Sequence, residues 1–285
     1  MNSARPRPLK RLGQHFLSPV WAAKVVDAID PQPGDVFLEI GPGTGALTRP
    51  LAARGMPVVA IEIDKRLAGD LARDAPPNVT VWSGDILEMN VVPLLLGLQP
   101  QRPPDAPGAP AQRPRYRVVG NLPYYIASPI LFRLVQLFGE HRVFEDATVM
   151  VQREVADRLL ARPRSKEYGV LTVMLTLHSR ITRRLDLPPG AFPPPPKVHS
   201  TLVRLEFGPP RVRVVDERLF ERLVKAMFSK RRKTLANALK GVTPSPPAAL
   251  AHAGIDPRRR PETLSLEEIA KLVEFVATAG HRAVV

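Results

Sequence analysis

The sequence predicts an α/β protein in which a mostly parallel sheet with helices on its faces is followed by a small all-helical domain. Three observations support this fold class. The first 90 residues alternate short β-rich runs with helical patterns, which is typical of stacked βαβ units. After residue 208 the spacing of apolar residues is purely helical. Gly208, Pro209 and Pro210 separate the two patterns, so we predict domains at residues 1–207 and 208–285.

The predicted elements of the first domain follow each other in a regular order. Ser18 and Pro19 predict the start of the first helix, because Ser is a good N-cap and Pro fits the first turn. Predicted strands lie at Val36–Ile40, Val58–Ile63, Val79–Trp82, Arg117–Val119, Thr148–Val151 and Lys197–Phe207. Further helices are predicted near Ala46–Ala53, from Ser128 and Pro129 onward, and at Arg153–Ala161 and Gly169–His178. The segment Pro93–Pro114 contains seven prolines, and we predict a surface insertion there.

The second domain shows helical patterns only. Apolar residues at helical spacing begin near Leu219 and again near Leu235, and Gly241 is a stop signal for the second of these helices. Ser265 and Glu268 have the spacing of a capping box before the last helix.

Composition and charge narrow the class of protein. The chain has 41 Lys plus Arg against 27 Asp plus Glu, a net charge of +14, and it contains no Cys. The absence of Cys excludes disulfides and thiolate metal sites and fits a reducing compartment. No apolar run reaches the roughly 18 residues needed to cross a bilayer, and the first residues lack the apolar core of a signal peptide, so we expect a cytoplasmic protein. The positive charge favours a polyanionic partner, with nucleic acid first, an anionic membrane second, and a merely solvated surface as the alternative.

A glycine-rich turn follows the first predicted strand. Gly41, Gly43 and Gly45 lie where the strand ends and a helix begins, so a ligand can approach main-chain N–H groups there. Glu62 ends the next strand, 21 residues after Gly41, which is the spacing at which an acidic residue accepts hydrogen bonds from a ribose. The third strand leads to Asp85 at the same predicted edge. A tight connection with solvated acidic residues is the alternative, but the ordered series favours a nucleoside-containing ligand.

The spacing within the glycine-rich turn distinguishes between two such ligands. A dinucleotide site has the form Gly-x-Gly-x-x-Gly, whereas this turn has Gly-x-Gly-x-Gly and is preceded by Glu39. A carboxylate would repel a pyrophosphate and attract the ammonium group of a methionine moiety. We therefore predict S-adenosylmethionine as the cofactor, with a structural role for Glu39 as the alternative.

The fourth strand leads to the motif predicted to carry the chemistry. The carboxamide oxygen of Asn121, with a main-chain carbonyl of the Leu122-Pro123 turn, can accept two hydrogen bonds from a planar amine, and Tyr124 offers a flat face for a base. Phe192, within a proline-rich segment, is a candidate to stack on the other face of that base. Methyl transfer to an amine requires mainly positioning, so we predict no metal. A strand-end turn with a buried Tyr, and a core anchor at Phe192, are the alternatives.

Together these residues resemble the KsgA-type ribosomal RNA small-subunit adenine dimethyltransferase family. The matching motifs run in order through Leu12–Leu17, Glu39–Gly45, Glu62–Asp64, Gly84–Asp85, Asn121–Tyr124, Phe192–Ser200 and Phe228–Leu235. The last two distinguish this family from generic methyltransferases. His15 departs from the commoner pattern, in which Asn stands after Gln14, and the segment Pro93–Pro114 is longer and richer in proline than the family requires.

The resemblance implies a Rossmann-like methyltransferase domain, a helical RNA-binding domain and S-adenosylmethionine as methyl donor. It implies dimethylation of two adjacent adenosines near the 3′ end of small-subunit rRNA, in a 30S assembly intermediate, by a monomer. Carried over residue by residue, it places cofactor contacts at His15, Leu17, Glu39, Gly41, Gly43, Glu62, Asp85 and Asn121. Of these, His15 and Leu17 are expected at the methionine and sulfonium end, Glu62 at the ribose and Asp85 at the adenine amine.

Two alternatives to this function remain at the level of sequence. One is a large-subunit rRNA adenine methyltransferase of the macrolide-resistance type, and the other is a non-catalytic RNA-binding assembly factor on the same fold. The basic run in the second domain favours the small-subunit class. Residues 208–285 carry 15 Lys plus Arg against 8 Asp plus Glu, and we predict RNA contacts at Arg222, Lys225, Lys230, Arg231, Arg232 and Lys233. A solvated helix face is the alternative there.

Overall fold

A computed structural model describes residues 14–97, 114–243 and 245–282. Within these ranges the chain forms two compact units, one of residues up to 156 together with 180–207, and one of residues 157–179 together with the chain from 208 onward. The sequence analysis assigned residues 157–179 to the first domain, whereas their contacts place them in the second unit. No helix among the described residues is both long enough and apolar enough to cross a membrane.

The first unit contains the sheet and the helices that cover it. Its strands are β1 (Asp35–Ile40), β2 (Val58–Glu62), β3 (Val79–Ser83), β4 (Arg115–Asn121), β5 (Phe144–Gln152), β6 (Ser179–Leu187, whose first residue belongs to the second unit) and β7 (Ser200–Phe207). Its helices are α1 (Pro19–Ile29), α2 (Thr48–Ala53), α3 (Lys65–Arg73), α4 (Val92–Leu96), α5 (Ala127–His141) and most of α6 (Arg153–Leu159).

The sheet has the strand order β3-β2-β1-β4-β5-β7-β6 among the described residues. Neighbours from β3 to β5 are parallel, and β7 pairs antiparallel with β5. All residues of β1 are buried, as expected for a central strand covered on both faces. One face packs with α1 and α2 into a core that includes Val25, Phe37 and Leu51.

Among the described residues, the regular elements of the second unit are helices, apart from the first residue of β6 and an isolated bridge between Lys240 and Thr243. Its helices are α7 (Val170–His178), α8 (Glu217–Ser229), α9 (Leu235–Ala238), α10 (Pro246–His252) and α11 (Leu266–Arg282). They enclose a separate core that includes Leu177, Phe220 and Leu272. The predicted capping box is present, since the N–H of Ser265 donates to Glu268 Oε2 at 2.9 Å and the N–H of Glu268 donates to Ser265 Oγ at 3.3 Å.

Most predicted elements are present, and the differences have physical reasons. The strand β6 was missed because it lies at the edge of the sheet, where only two of its nine residues are buried, so its side chains lack an apolar alternation. Helix α5 begins at Ala127, so Ser128 lies inside it and is not its cap. Ser18 precedes α1 as predicted, but its hydroxyl makes no capping bond.

Two further differences concern proline-containing segments. Residues 92–96, which include the start of the predicted insertion, form α4, and residues 98–113 lie outside the described residues. Helix α10, which opens on two prolines, was not predicted.

Candidate active site

The carboxyl ends of four parallel strands meet at one edge of the sheet. Ile40 of β1 is in register with Ile61 of β2 and with Gly120 of β4, and Ile61 is in register with Trp82 of β3. The residues that follow these positions therefore lie together, as the order of the motifs predicted. They line a partly open cleft whose walls include the predicted residues His15, Gly41, Gly43, Glu62, Asp85, Asn121, Leu122, Pro123 and Tyr124.

The glycine-rich turn has a backbone that only glycine adopts easily. Gly41 and Gly43 have φ angles of 67° and 57°, in the left-handed region. A Cβ on Gly43 would lie 3.3 Å from the ring of Phe16, so a side chain at this position would compete for space with a residue that lines the cleft. The N–H groups of Gly41, Gly43 and Gly45 all donate within the protein, to Ile61 O, Glu62 Oε2 and Pro42 O, so these bonds fix the shape of the turn.

The carboxylate of Glu62 connects β2 with the glycine-rich turn. Its Oε2 accepts the N–H of Gly43 at 2.9 Å and its Oε1 accepts the N–H of Asp64 at 3.0 Å. Burial raises the pKa of Glu62 above its usual value, although both main-chain bonds act in the opposite direction. Each oxygen retains a further lone pair, so the side chain fits the ribose-binding role predicted for it.

The carboxyl group of Glu39 is enclosed more completely. It is 2% exposed, accepts the hydroxyl of Thr48 at 2.6 Å, and lines a smaller cavity beside the main cleft, together with Leu17. Burial raises its pKa to about 7. The hydroxyl contact gives Glu39 a structural partner, while the adjoining cavity is compatible with the predicted ammonium contact.

Asp85 lies at the end of β3, where the sequence predicted a contact with the adenine amine. Its Oδ1 accepts the N–H of Leu87 at 2.9 Å, and the side chain is half-buried in the wall of the cleft. The second carboxylate oxygen is therefore available to a ligand amine.

Asn121 has the least satisfied polar atom in the cleft. Its Nδ2 donates to the main-chain oxygen of His15 at 2.7 Å, which orients the carboxamide. Its Oδ1 is buried and has no hydrogen-bond partner among the described residues. A buried acceptor without a partner is costly, so this oxygen is suited to an amine donor of a ligand.

Tyr124 and His15 form a second wall of the cleft. The Tyr124 hydroxyl lies 2.6 Å from Ser200 Oγ, and its ring stacks on the His15 imidazole with a centroid distance of 5.5 Å. His15 Nδ1 lies 2.9 Å from the Pro194 carbonyl oxygen, so Nδ1 carries the proton and donates. Burial raises the pKa of Tyr124, which therefore stays a neutral ring in the cleft.

Phe192 does not lie in the cleft. It is 2% exposed and packs in the core cluster that also contains Leu17 and Ala191. This burial favours the alternative, a core anchor for the proline-rich segment, and base stacking by Phe192 stays a prediction. Phe192 directly follows a short 3-10 turn at Pro189–Ala191.

The sequence analysis missed Tyr125, a large residue in the wall of the cleft. Tyr125 lines the cleft beside Tyr124 and is 55% exposed. The one sequence feature that pointed to Tyr125 was its position directly after Tyr124. A sequence does not show which of two consecutive aromatic residues is exposed.

Most of the predicted RNA-binding side chains are exposed on the second unit. They are Arg222, Lys225, Lys230, Arg232 and Lys233, of which Lys225 is paired with Glu221. Arg231 is different, because its guanidinium donates to the main-chain oxygen of Ser165 at 3.2 Å and lies 3.9 Å from a carboxylate oxygen of Glu262. Its contacts are therefore within the protein.

The strand order and the cleft define a class of protein. An antiparallel β7 between β5 and β6, with a glycine-rich turn and acidic residues at the carboxyl ends of β1–β3, characterises the Rossmann-like methyltransferases that depend on S-adenosylmethionine. The chain is an enzyme of this class. The unpartnered oxygen of Asn121 and the carboxylates of Glu62 and Asp85 in the wall of the cleft fit the amine that receives the methyl group and the cofactor that supplies it.

Comparison with known proteins identifies the family. Residues 7–278 match the model of the ribosomal RNA adenine dimethylase family, and the chain belongs to that family. It is 42% identical over 279 residues to the ribosomal RNA small subunit methyltransferase A of Syntrophotalea carbinolica, covering 95% of this chain and 97% of the relative. The protein of the same name from Geobacter metallireducens is 43% identical over 288 residues, covering 97% and 98%.

Solved structures agree with this assignment. A dimethyladenosine transferase from Plasmodium falciparum superposes with a TM-score of 0.71 and 25% identity, over 93% of this chain and 98% of that one. The 23S rRNA methyltransferase ErmE gives a TM-score of 0.62 and 28% identity, over 92% and 99%. The RNA-modifying fold is thus shared across nearly the whole length.

Proposed function

We propose that this enzyme dimethylates the exocyclic N6 amines of two adjacent adenosines near the 3′ end of 16S rRNA. The substrate is a 30S assembly intermediate, the enzyme acts as a cytoplasmic monomer, and the modification is coupled to biogenesis of the small subunit. The observation that carries the proposal is the buried Oδ1 of Asn121, which has no partner among the described residues. The relatives that are more than 40% identical support the choice of the small subunit through their names.

The residues of the cleft divide into those that hold the donor and those that hold the amine. Glu62 and the main chain at Gly43 are placed for the ribose, Asp85 for the adenine amine of the cofactor, and Glu39 and His15 for the methionine end. When bound, S-adenosylmethionine supplies a methyl group on a positively charged sulfur. The protein's task is then to align the acceptor nitrogen with that methyl group.

The motif Asn121–Tyr124 is placed to hold the target adenine. The Asn121 oxygen and a main-chain oxygen of the Leu122-Pro123 turn accept hydrogen bonds from the two N–H groups of the target amine. These bonds reduce the conjugation of the nitrogen lone pair with the ring, so the lone pair can point at the methyl group. Tyr124 supplies the face on which the base stacks, and its bond to Ser200 holds that ring in place. With S-adenosylmethionine bound, the nitrogen held by Asn121 and the Leu122-Pro123 turn would take the methyl group as the bond from that methyl to sulfur breaks, and the amine proton would leave to solvent.

Two alternatives are less well supported. A large-subunit specificity is favoured by the structural similarity to ErmE, but that protein is 28% identical whereas the small-subunit relatives exceed 40% over the same length. A non-catalytic assembly role does not require an open cleft with an unpartnered acceptor, which this chain retains.

Substitution of Asn121 tests the chemical step. We expect Asn121→Ala to reduce methyl transfer to a 30S substrate by about 10²-fold or more, the scale of losing one positioned hydrogen-bonding group, while RNA affinity changes little. Asn90→Ala is a matched control, because Asn90 is exposed and does not line the cleft. Wild-type turnover in Asn121→Ala would overturn the assigned role.

Mapping of the modified nucleotide tests the substrate. Primer extension and mass spectrometry of rRNA from cells that lack the gene should show the loss of two adjacent dimethyladenosines from 16S rRNA. Loss of a methylated adenosine from 23S rRNA would instead establish the large-subunit alternative.

A further inference from the structure

A basic loop of the second unit lies beside the predicted RNA-binding turn. Between α6 and α7, residues 162–166 carry three basic side chains, Arg162, Arg164 and Lys166, all exposed. The turn at 230–233 follows α8 and carries Lys230, Arg231, Arg232 and Lys233. The two segments are more than 60 residues apart in sequence, and only the fold brings them together.

Two contacts of the main chain hold the loop in this position. Arg231 donates to the carbonyl oxygen of Ser165 at 3.2 Å, and the N–H of Arg164 donates to the carbonyl oxygen of Glu262 at 2.7 Å. The carboxylate of Glu262, whose side chain is 17% exposed, lies 3.9 Å from Arg231. Arg231 therefore links the turn to the loop and also to the segment before α11.

The backbone of the loop is strained at a charged residue. Arg164 has a φ of 78°, in the left-handed region where glycine is favoured and a long side chain is not. Local strain of this kind persists where the surrounding structure fixes the backbone, and here the N–H of Arg164 is held by the carbonyl oxygen of Glu262. A glycine here would give the same turn without the strain, but it would lack the charge.

Most cations of the two segments have no ion-pair partner in the protein. In the described ranges of the chain, the side chains of Arg162, Arg164, Lys166, Arg232 and Lys233 take part in no ion pair within 4.0 Å, whereas Arg231 pairs with Glu262. The other acids nearby are Glu268, which pairs with Arg259 at 2.6 Å and also attracts Arg164 at longer range, and Glu167, which is exposed next to the loop. An exposed group of unpaired cations, three of them with a planar guanidinium, is suited to phosphate oxygens.

We propose that loop 162–166 and turn 230–233 form one binding surface for the phosphate backbone of the substrate RNA, with Arg231 as the positioning residue between them. This inference rests on the proposed rRNA substrate and extends the contact surface beyond the six residues that the sequence predicted. Arg162, Arg164 and Lys166 contact RNA, whereas Arg231 acts through the loop.

The first experiment measures the salt dependence of binding to 30S subunits or to a 16S rRNA fragment. Replacing Arg162, Arg164 and Lys166 together by Gln should weaken binding and reduce the slope of log affinity against log salt by about 0.7–0.9 for each phosphate that the protein no longer neutralises. Arg218→Gln is the matched control, because Arg218 is exposed in the first turn of α8, roughly 18 Å along the helix from Lys230. An unchanged slope in the triple variant would overturn the inference.

The second experiment separates charge from fold at one position. Arg164→Gly should raise the melting temperature by a few degrees, because it removes the strain, and should weaken RNA binding severalfold, because it removes a cation that faces phosphate. A gain in stability without loss of affinity would show that the Arg164 side chain does not contact RNA. Unfolding cannot mimic the expected result, since the two effects have opposite signs.

The third experiment tests the positioning role of Arg231. When Arg231→Gln is combined with the triple loop variant, the loss of RNA-binding free energy should be smaller than the sum of the two separate losses, since Arg231 acts through the loop. When Arg232→Gln is combined with the same triple variant, the losses should add. Additive behaviour of Arg231→Gln would remove its positioning role.

The outcomes also separate this inference from the proposed function. If the loop variants leave the salt dependence of binding unchanged while Arg232→Gln with Lys233→Gln reduces it, the loop does not contact RNA but the turn does. If neither group affects RNA binding and both abolish binding to vesicles with anionic lipid, RNA docking by this unit fails as well. If the mapped adenosines are unmethylated in rRNA from wild-type cells, the proposed substrate itself is wrong.

Discussion

The amino and carboxyl ends of the same parallel strands differ in how their buried polar groups are satisfied. At the amino ends, Arg117 of β4 donates to Asp35 at 2.7 Å and to the carbonyl oxygen of Ile29 at 2.8 Å, and it also pairs with Asp146 at 2.9 Å. At the carboxyl ends, the oxygen of Asn121 has no partner within the described chain. Both environments are buried, so the difference lies in pairing and not in exposure.

This difference separates structural from functional polar groups. The Arg117 network holds the end of α1 against the sheet, and its charges are compensated inside the protein. Among the described residues, the cleft instead retains the unpartnered oxygen of Asn121 and the carboxyl group of Glu62, and the smaller cavity beside it retains that of Glu39; burial raises the pKa of both carboxyl groups. These groups have hydrogen-bonding capacity that a ligand can use.

The largest effect is expected at the amino ends of the strands, where the buried charges are paired. Arg117→Met should lower the free energy of unfolding by an amount near the lower end of about 3–5 kcal/mol, because Asp35 and Asp146 lose their shared buried partner and keep only Arg115 and Arg204. Denaturant unfolding measures the change. Arg54→Ala is the control, since Arg54 pairs with Asp27 at the surface and its removal should cost at most about 1 kcal/mol. Equal effects of the two variants would contradict the comparison.

A pH-dependent effect should appear at the carboxyl end. The pKa of the Glu39 carboxyl is about 7 in the folded protein, compared with 4.5 for an unperturbed Glu. The folded state therefore keeps a proton that the unfolded state has released, so this group makes stability fall as the pH rises from 4.5 to 7, by up to about 3 kcal/mol.

Glu39→Gln should abolish that contribution, since the amide stays neutral and its oxygen can still accept the Thr48 hydroxyl. The stability of the variant relative to the wild type should then stay constant below about pH 4.5, rise between pH 4.5 and 7, and stay constant again above pH 7, with the variant more stable there. Parallel curves over the whole range would show that Glu39 ionises normally.

A smaller effect is expected for binding at Glu62. Glu62→Gln should weaken the binding of S-adenosylhomocysteine by about 10-fold to 100-fold. This corresponds to the roughly 1.5–3 kcal/mol that a hydrogen bond to a charged group contributes. Calorimetry measures the affinity, and Glu88→Gln is the control because Glu88 is exposed and does not line the cleft. Unchanged affinity would remove Glu62 from the site.

The smallest effect is expected at Tyr124. Tyr124→Phe removes the bond to Ser200 but keeps the ring, so turnover should fall only severalfold, about 1 kcal/mol. Tyr124→Ala should cost far more, because it removes the stacking face. A decrease in Tyr124→Phe as large as that in Tyr124→Ala would assign the hydroxyl, and not the ring, the main role.

The sequence by itself determined the fold class and the set of residues at the carboxyl edge. Alternating β and helical patterns imply a parallel sheet, and parallel strands place their ends at one edge, so Gly41, Glu62, Asp85 and Asn121 had to be near each other. These inferences depend on local periodicity and on spacing along the chain, both of which can be recognised in one sequence.

The pairing of polar groups and the burial of aromatic groups by partners distant in sequence became known from the three-dimensional structure alone. Phe192 is a core residue, Arg231 is held by Ser165 and Glu262, and residues 157–179 pack with the second unit. The edge strand β6 is likewise defined by its pairing and not by its pattern. The physical reason is that burial and hydrogen-bond satisfaction are long-range properties, which composition and periodicity do not encode.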